Sequence, residues 1–551
     1  MAPPQTVASA TGGPGQLKRA VGFYGLMFIS LGSIIGSGWL LGALKAAQVA
    51  GPASIISWVL AAAMLAVLAL IHAELGSAYP VAGGTARFPL FAFGTLTGFV
   101  AGWSAWLQAV AIAPIEVEAS LAYLNNIGWV KDNLNLLHED GTLTAGGFGW
   151  ATLLMVVFTG INTVGVKLMS ESNSITVIWK AAVPLVTVLV LIPTSFHGSN
   201  FGAGGGFAPF GAHGVFAALP VGVVFALQGF EQAIQLGGEA RNPRRDLSRA
   251  VITAMAIGAL IYILLEIAFI GSLDPANLIH GWANPIAKGD FGPYATLAVA
   301  AGAGWLAYLL YTDAFVSPAG TGLVYVATSA RLTYALGREN LLPGSLGRLN
   351  VRGVPLWSIT LAFVIGEISF LPFPSWQSLV GVVTSATAIM YGFAPIAMAA
   401  LRKRDPERPR PYKLPFPAVL APVGFVCANL IIYWGGFDVM WKILAAIVIG
   451  LGVFVITYAT TPTDKRSKLD AGAARWIAPW LLGQAVIGYF GRYGDGARNV
   501  IPEWLDLLVV IALSLVIFYW AVNCSVAAEQ VKAAVDREEL ELAVAPEVNL
   551  A

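Results

Sequence analysis

Apolar stretches of about 20 residues, the length a helix rising about 1.5 Å per residue needs to cross a hydrocarbon core about 30 Å thick, recur along almost the whole chain. About fourteen can be placed, centred near Ile34, Met64, Ala113, Val156, Leu185, Val224, Leu260, Leu310, Phe363, Ile389, Cys427, Val448, Leu482 and Leu513, the thirteenth being the weakest. This repetition fixes the solvent before any fold is considered. Of the 551 residues 11% are charged, against roughly 25% in soluble domains, and 57% are hydrophobic with a mean hydropathy of +0.73. One globule cannot hide that much apolar surface, whereas helices facing lipid need no polar outer face. The expected fold class is an all-α polytopic membrane protein.

Net charge is +1 and points to no nucleic acid or acidic partner; the placement of charge carries the information. Lys18 and Arg19, then Arg241, Arg244, Arg245 and Arg249, then Arg331, Arg338, Arg348 and Arg352, then the basic run from Arg402 to Lys413, then Lys465, Arg466 and Lys468 fall on one face of the membrane. The opposite face carries mainly Lys131, Lys288, Arg492 and Arg498. The positive-inside bias predicts an even number of spans with both termini in the cytoplasm, in the plasma (inner) membrane. The first residues lack the basic start and short apolar core of a cleavable signal, so the first span is expected to stay in the membrane. Cys427 and Cys524 sit in apolar segments and read as packed thiols, not as a disulfide or metal site.

The first span reads Ser33-Ile34-Ile35-Gly36-Ser37-Gly38-Trp39, with Gly32 before and Gly42 after. Glycines and serines at mid-membrane weaken a helix where a lipid-facing span should be strongest. Taken alone, such a cluster reads as close helix packing. The sixth span carries a matching weak point, Phe225-Ala226-Leu227-Gln228-Gly229-Phe230-Glu231. Two interrupted helices five spans apart are the mark of an inverted repeat with its substrate site at the breaks. At each break one half-helix end offers bare N–H groups and a positive dipole end, and the other offers bare carbonyls. A carboxylate suits the first and an ammonium the second, so an α-amino acid could be bound by backbone alone; other zwitterions and amines could use the same dipoles.

Further pieces then fall in a characteristic order: Glu74-Leu75-Gly76 with Tyr79-Pro80 and Gly83-Gly84, Asn162 with Gly165-Val166-Lys167, Gly238-Glu239 with Asn242-Pro243, and Ser329-Ala330-Arg331 with Tyr334-Ala335 and Pro343. From about residue 18 to about 460 the chain resembles the amino acid, polyamine and organocation transporter superfamily. Gly36-Ser37-Gly38-Trp39, Ile115-Glu116-Val117-Glu118, His280-Gly281-Trp282, Ser317-Pro318 and Phe373-Pro374-Ser375-Trp376 resemble the bacterial aspartate/proton symporters in particular. The resemblance implies a leucine-transporter-type inverted repeat of five plus five helices, with helices 1 and 6 broken, followed by about four additional spans. Residues 1–16 would then be a tail, 17–402 the ten-helix core, 403–525 spans 11–14, and 526–551 a cytoplasmic tail or solvated helix.

Lys180 lies inside the fifth span, where an ammonium is costly without partners. Snorkelling to the nearby interface is the alternative. The resemblance implies that Lys180 stands where sodium-coupled relatives hold their ion, so that its proton can bias which side of the membrane is open. Intramembrane acids form a second set: Glu116, Glu118, Glu231, Glu266, Asp313 and Glu367. Glu116 and Glu118 are about 200° apart on a helix and cannot face one narrow pathway. Glu116 matches the position that pairs with the fifth-span lysine in relatives, and Asp313 lies four residues before Ser317 on one helical face. Structural hydrogen bonding is the competing reading for each acid. His72 and Glu74 read as packing and loop anchoring. Phe230 and Trp39 are candidate gates or ordinary packing, and Phe225 matches the ring that closes over substrate in relatives.

The expected function is therefore a secondary transporter: a proton/amino acid symporter, with acidic substrates such as aspartate implied by resemblance alone. Gly36, Ser37 and Gly38 are expected to take the substrate carboxylate, and carbonyls around Ser33, Ile34, Phe225 and Ala226 its ammonium, with Gln228 and Gly229 completing the site. Lys180, Glu116, Asp313 and Ser317 are expected to carry the coupling proton. No cofactor is expected beyond that proton, and the partners are a small amino acid and the lipid bilayer. An exchanger or a cationic amino acid or polyamine carrier would instead use Glu116 and Asp313 as substrate ligands. A substrate sensor has no attached signalling domain to support it, and no nucleophile motif, metal cluster or phosphate loop indicates an enzyme.

Overall fold

The weak points at Gly36 and Gly229 predict two interrupted helices, and both interruptions are present. A computed structural model describes residues 21–81, 83–164, 167–287, 290–350 and 354–544, with the side chains of 164–174 and 541–544 left out. Lys18, Arg19, Gly165, Val166, Lys288, Arg352 and the segment 1–16 lie outside the described residues, as does the side chain of Lys167. The described chain is helical, with helices at the fourteen predicted positions in order; among the described residues nine helices are long and apolar enough to cross a membrane, and three shorter ones are apolar. Span 1 is Phe23–Ile34 plus Gly38–Ala50, and spans 2 to 5 are Ser54–Ala78, Thr95–Leu124, Ala145–Val164 and Lys167–Ser195. Span 6 runs through Gly211–Ala217, Leu219–Val223, Val224–Leu227 and Gln232–Gln235. Spans 7 to 10 are Pro243–Ser272, Gly304–Arg338, Leu356–Ser369 and Trp376–Arg404, and spans 11 to 14 are Pro417–Trp434, Phe437–Thr460, Ile477–Phe490 and Leu505–Asn523. Spans 9 and 13 have 14 residues each, about 21 Å at the helical rise.

Burial sorts the spans. Spans 3 and 10 are enclosed along most of their length, whereas spans 4, 12 and 14 turn most of theirs outward. The outward side chains, such as Leu189, Val448, Ile456 and Val516, are apolar, as a lipid-facing surface requires. The neighbours within the first ten spans repeat when five is added to each number. Span 1 packs on 5 and 7 as span 6 packs on 10 and 2; span 4 packs on 3 and 8 as span 9 packs on 8 and 3; span 5 packs on 7 and 8 as span 10 packs on 2 and 3.

One face of the bundle is tied by ions. Glu74, 1% exposed, accepts from Arg402 Nε (2.7 Å) and Nη2 (2.5 Å) and from the Leu414 N–H (2.6 Å), with Arg410 Nε 3.6 Å away. A buried carboxylate is stable there because a bidentate guanidinium and a backbone donor satisfy it. One element was not anticipated from sequence: Gly84–Phe93, a connector helix between spans 2 and 3. Ala528–Val544, in the segment expected to be a tail or solvated helix, is a helix laid against that connector. Arg87 of the connector pairs with Glu339 and, at 3.4 Å, with Glu538; Arg408 pairs with Glu539 at 2.6 Å.

Candidate functional site

The two breaks meet. Span 1 leaves helical geometry at Ile35 (φ −88, ψ 83) and resumes at Gly38; span 6 extends at Gln228 (φ −74, ψ 162), turns at Gly229 (φ +108) and resumes at Gln232. Glycine is required at two crossings. A Cβ on Gly38 would lie 2.7 Å from the Ala226 Cα, and one on Gly229 would lie 2.8 Å from the Ser33 carbonyl carbon. Ser30 stitches the crossing, its Oγ donating to the Phe230 carbonyl (2.7 Å) and accepting from the Ala233 N–H (3.2 Å).

Between the breaks lies a constricted cavity of about 10 Å³, room for a single water, so an amino acid is admitted only when the walls part. Ser33, Ile34, Gly36, Gly38, Phe225 and Gln228 line it, with Glu116. Ser37, Ala226 and Gly229 are not among the lining residues. Ser37 has no exposure: its N–H donates to Glu116 Oε2 (2.8 Å) and its Oγ accepts from Trp376 Nε1 (2.9 Å). Ile112, Thr321 and Tyr325 also line the cavity and were missed from sequence. Thr321 could have been found, because it lies four residues beyond Ser317 on the same helical face.

Lys180 is 2% exposed and reaches inward, donating to the Gly32 carbonyl (2.8 Å) and to Thr321 Oγ1 (2.6 Å). Its ammonium thus holds the carbonyl end of the first half of span 1, Phe23–Ile34. Glu116 makes no hydrogen bond to Lys180; it sits at the N-terminal end of the second half of span 1, Gly38–Ala50, on the Ser37 N–H, where the substrate carboxylate is expected. Gly36 lets the two systems approach, since a Cβ there would lie 2.6 Å from Glu116 Oε1 and 3.2 Å from Thr321 Oγ1, and Glu116 and Lys180 are within electrostatic reach of each other. Asp313 accepts from three donors, Trp179 Nε1 (2.8 Å), Trp39 Nε1 (3.1 Å) and Ser317 Oγ (2.7 Å), and lies within electrostatic reach of Lys180. Thr321 Oγ1 lies 3.3 Å from the Ser317 carbonyl, so Asp313, Ser317, Thr321 and Lys180 follow one another along one face.

The Ile34 carbonyl, expected to receive an ammonium, accepts from Tyr262 Oη (2.8 Å) and from the Gly36 N–H (3.1 Å). Trp39 stacks beside Tyr294 (5.6 Å) and holds Asp313, which makes it wall. Phe230 has no exposure and packs on Tyr391 (4.7 Å) and His72 (5.5 Å). Phe225 stands at the cavity edge, edge-on to Trp376 at 5.8 Å. The other acids have their own partners: Glu231 accepts from Tyr391 Oη (2.5 Å) and the Gly229 N–H (3.2 Å), Glu266 from the Ser54 hydroxyl and Trp58 Nε1 (2.9 Å), and Glu367 from Thr152 (2.8 Å). Glu118 is buried with neither oxygen hydrogen-bonded among the described residues.

Residues 21–454 match the family described as amino acid permease. Among curated proteins, the glutamate/serine transporter AimA of Bacillus subtilis is 37% identical over 521 residues, covering 94% of this chain and 96% of the relative. The aspartate-proton symporter of Bacillus subtilis is 33% identical over 511 residues, covering 92% and 96%. The branched-chain amino acid permease BcaP of the same organism is 26% identical over 486 residues, covering 85% and 97%.

Proposed function

Because the chain belongs to the amino acid permease family, a family of membrane transporters and not of enzymes, we propose that it takes up small polar amino acids together with a proton. The observation that carries this reading is the place of Glu116. Its carboxylate occupies the half-helix N-terminus that an amino acid carboxylate would need. Two carboxylates at one such end repel each other, so the second binds readily only when the first is protonated. A proton on Glu116 frees the Ser37 N–H for the substrate, and substrate in that seat in turn holds the proton on Glu116. This reciprocity is the coupling that symport requires. Lys180 remains a fixed cation behind the break, bound to Gly32 and Thr321, and adjusts the first half of span 1 to the charge in the cavity.

Relatives described as carrying glutamate with serine, and aspartate with a proton, support serine, glutamate and aspartate as the substrates to test first. The cavity lining includes no lysine or arginine. An acidic substrate therefore brings its extra charge close to Glu116 and depends on the proton more strongly than serine does. Placement in the plasma (inner) membrane with both termini in the cytoplasm follows from the positive-inside bias.

Purified protein in liposomes, given labelled amino acids with and without an imposed proton gradient, tests this reading. Uptake of at least one of the three should rise about tenfold with an acidic exterior, a coupling of about 1.4 kcal/mol, and collapse when an ionophore discharges the gradient. The acidic substrates should show the steeper dependence. Uptake indifferent to the gradient but requiring amino acid inside the vesicle would establish exchange instead.

A further inference from the structure

Span 6 contains a second irregularity that the substrate site does not use. On the face opposite the C-terminal helix, its outer half is in two pieces. The helix Gly211–Ala217 and the turn Val224–Leu227 are joined by a π-helical turn, Leu219–Val223, in which Gly222 sits at φ +157, ψ −28. Such turns are where helices bend. The Gln377 side-chain amide donates to the Val221 carbonyl inside the turn (3.0 Å). Phe225, at the cavity, lies on one side of the bend.

On the other side the helix is gripped by rings from the appended spans. His213 lies flat on Tyr493 (4.5 Å, 17°), Phe216 lies flat on Trp434 (5.1 Å, 7°), and Trp504 meets Phe216 edge-on (6.1 Å, 84°). Trp434 ends span 11, Tyr493 follows span 13 and Trp504 precedes span 14. The grip is itself braced. Tyr433 Oη donates to Asp506 (2.5 Å) and accepts from the Arg492 N–H (3.2 Å), and a Cβ on Gly436 would lie 2.6 Å from the Gly494 Cα. Ser57 of span 2 adds a bond to the Val215 carbonyl (2.8 Å).

We propose that spans 11–14 form a fixed collar that immobilises residues 211–217 through this aromatic clasp, so that Leu219–Val223 is the hinge about which the Phe225 segment moves during transport. Stacked rings fix orientation as well as distance, and they are placed on the piece that carries no substrate contact. The bend lies between the clamped piece and the piece that lines the cavity. The outer half of span 1, Gly38–Ala50, carries a single ring contact among the described residues, Trp39 beside Tyr294 (5.6 Å), and meets the clamped helix at Gly214, where a Cβ would lie 2.8 Å from the Val49 carbonyl oxygen. That half is then the partner that moves away when the cavity opens on this face. The inference rests on the transport reading, because a hinge matters only in a chain whose cavity opens and closes.

Two variants test it in liposomes, after unaltered protein has shown uptake; absence of that uptake would count against the transport reading and not against the collar. In a background with Cys427→Ser and Cys524→Ser, His213→Cys and Tyr493→Cys are joined by a short thiol cross-linker and the yield is measured by mass spectrometry. Uptake by the fully joined protein should stay within about twofold of the unjoined protein, since a fixed contact loses nothing by being made covalent. Loss of uptake that returns when the link is cleaved would overturn the proposal, because the clasp would then have to open. Gly222→Ala places a Cβ at a strained φ, 3.3 Å from the Gly42 Cα. Uptake should fall about tenfold while equilibrium binding of the transported amino acid changes by less than about threefold. Unchanged uptake would remove the hinge, and this second arm decides alone if the cysteine pair does not accumulate.

Discussion

Replacing Lys180 by alanine should leave a protein that still binds its amino acid but no longer responds to a proton gradient. The Nζ group bonds to the Gly32 carbonyl and to Thr321 Oγ1. Alanine leaves the buried Gly32 carbonyl with only the long contact from Thr321 Oγ1 (3.4 Å), and an acceptor that loses its donor inside the bundle costs about 1–3 kcal/mol. That cost falls on the first half of span 1, whose shape must change as the cavity changes face. Glu116 and the Ser37 N–H are untouched, so the seat for a carboxylate persists. Gradient-driven uptake should drop by about two orders of magnitude, roughly 2.7 kcal/mol in barrier terms, with binding affinity shifted by less than about tenfold. Lys180→Arg should not rescue it, because a planar fork cannot replace a compact ammonium between two oxygens. A variant whose uptake keeps its full pH dependence would dismiss Lys180 from the coupling.

Gly229→Ala should do comparable damage through geometry alone. The residue sits at φ +108, and the added Cβ would meet the carbonyl carbon, Cβ and carbonyl oxygen of Ser33 at 2.8–2.9 Å. Left-handed geometry costs a residue with a Cβ about 1–2 kcal/mol, and overpacking adds about 1–3 kcal/mol. Much of this would be relieved by pushing the two breaks apart, which is the one change the site cannot absorb. Uptake should fall about a hundredfold, corresponding to about 2.7 kcal/mol, while the protein still reaches the membrane. Gly160→Ala is the matched control: it adds a Cβ within span 4 with nothing inside 4 Å and should leave uptake unchanged. Equal loss in both variants would mean that the crossing at Gly229 is not special.

The spans and the two breaks were legible because each is written locally, in the length of an apolar run and in glycines where a helix should be strongest. What a single sequence could not supply was which faces meet. Glu116 and Ser37 are 79 residues apart, Trp179 and Asp313 are 134 apart, and Lys180 and Thr321 are 141 apart. No local pattern encodes such pairings, so Glu116 was matched with Lys180 by resemblance, whereas its bond goes to the Ser37 N–H. The connector helix Gly84–Phe93 was hidden by Pro89 inside it and by its 10-residue length. The π-helical turn at Leu219–Val223 left a trace in Pro220 and Gly222, overshadowed by the stronger signal at Gln228-Gly229. Phe225 and Phe230 were ambiguous for a related reason, since a five-residue separation puts rings on different sides only once the break between them is placed.

The most direct measurement is a high-resolution structure of the protein with its transported amino acid bound. The account predicts density between the two breaks, with the substrate carboxylate on the N–H groups at the start of Gly38–Ala50 and the Glu116 side chain withdrawn from Ser37. Density for the amino acid elsewhere, or seated between the breaks while Glu116 still holds the Ser37 N–H, would contradict it.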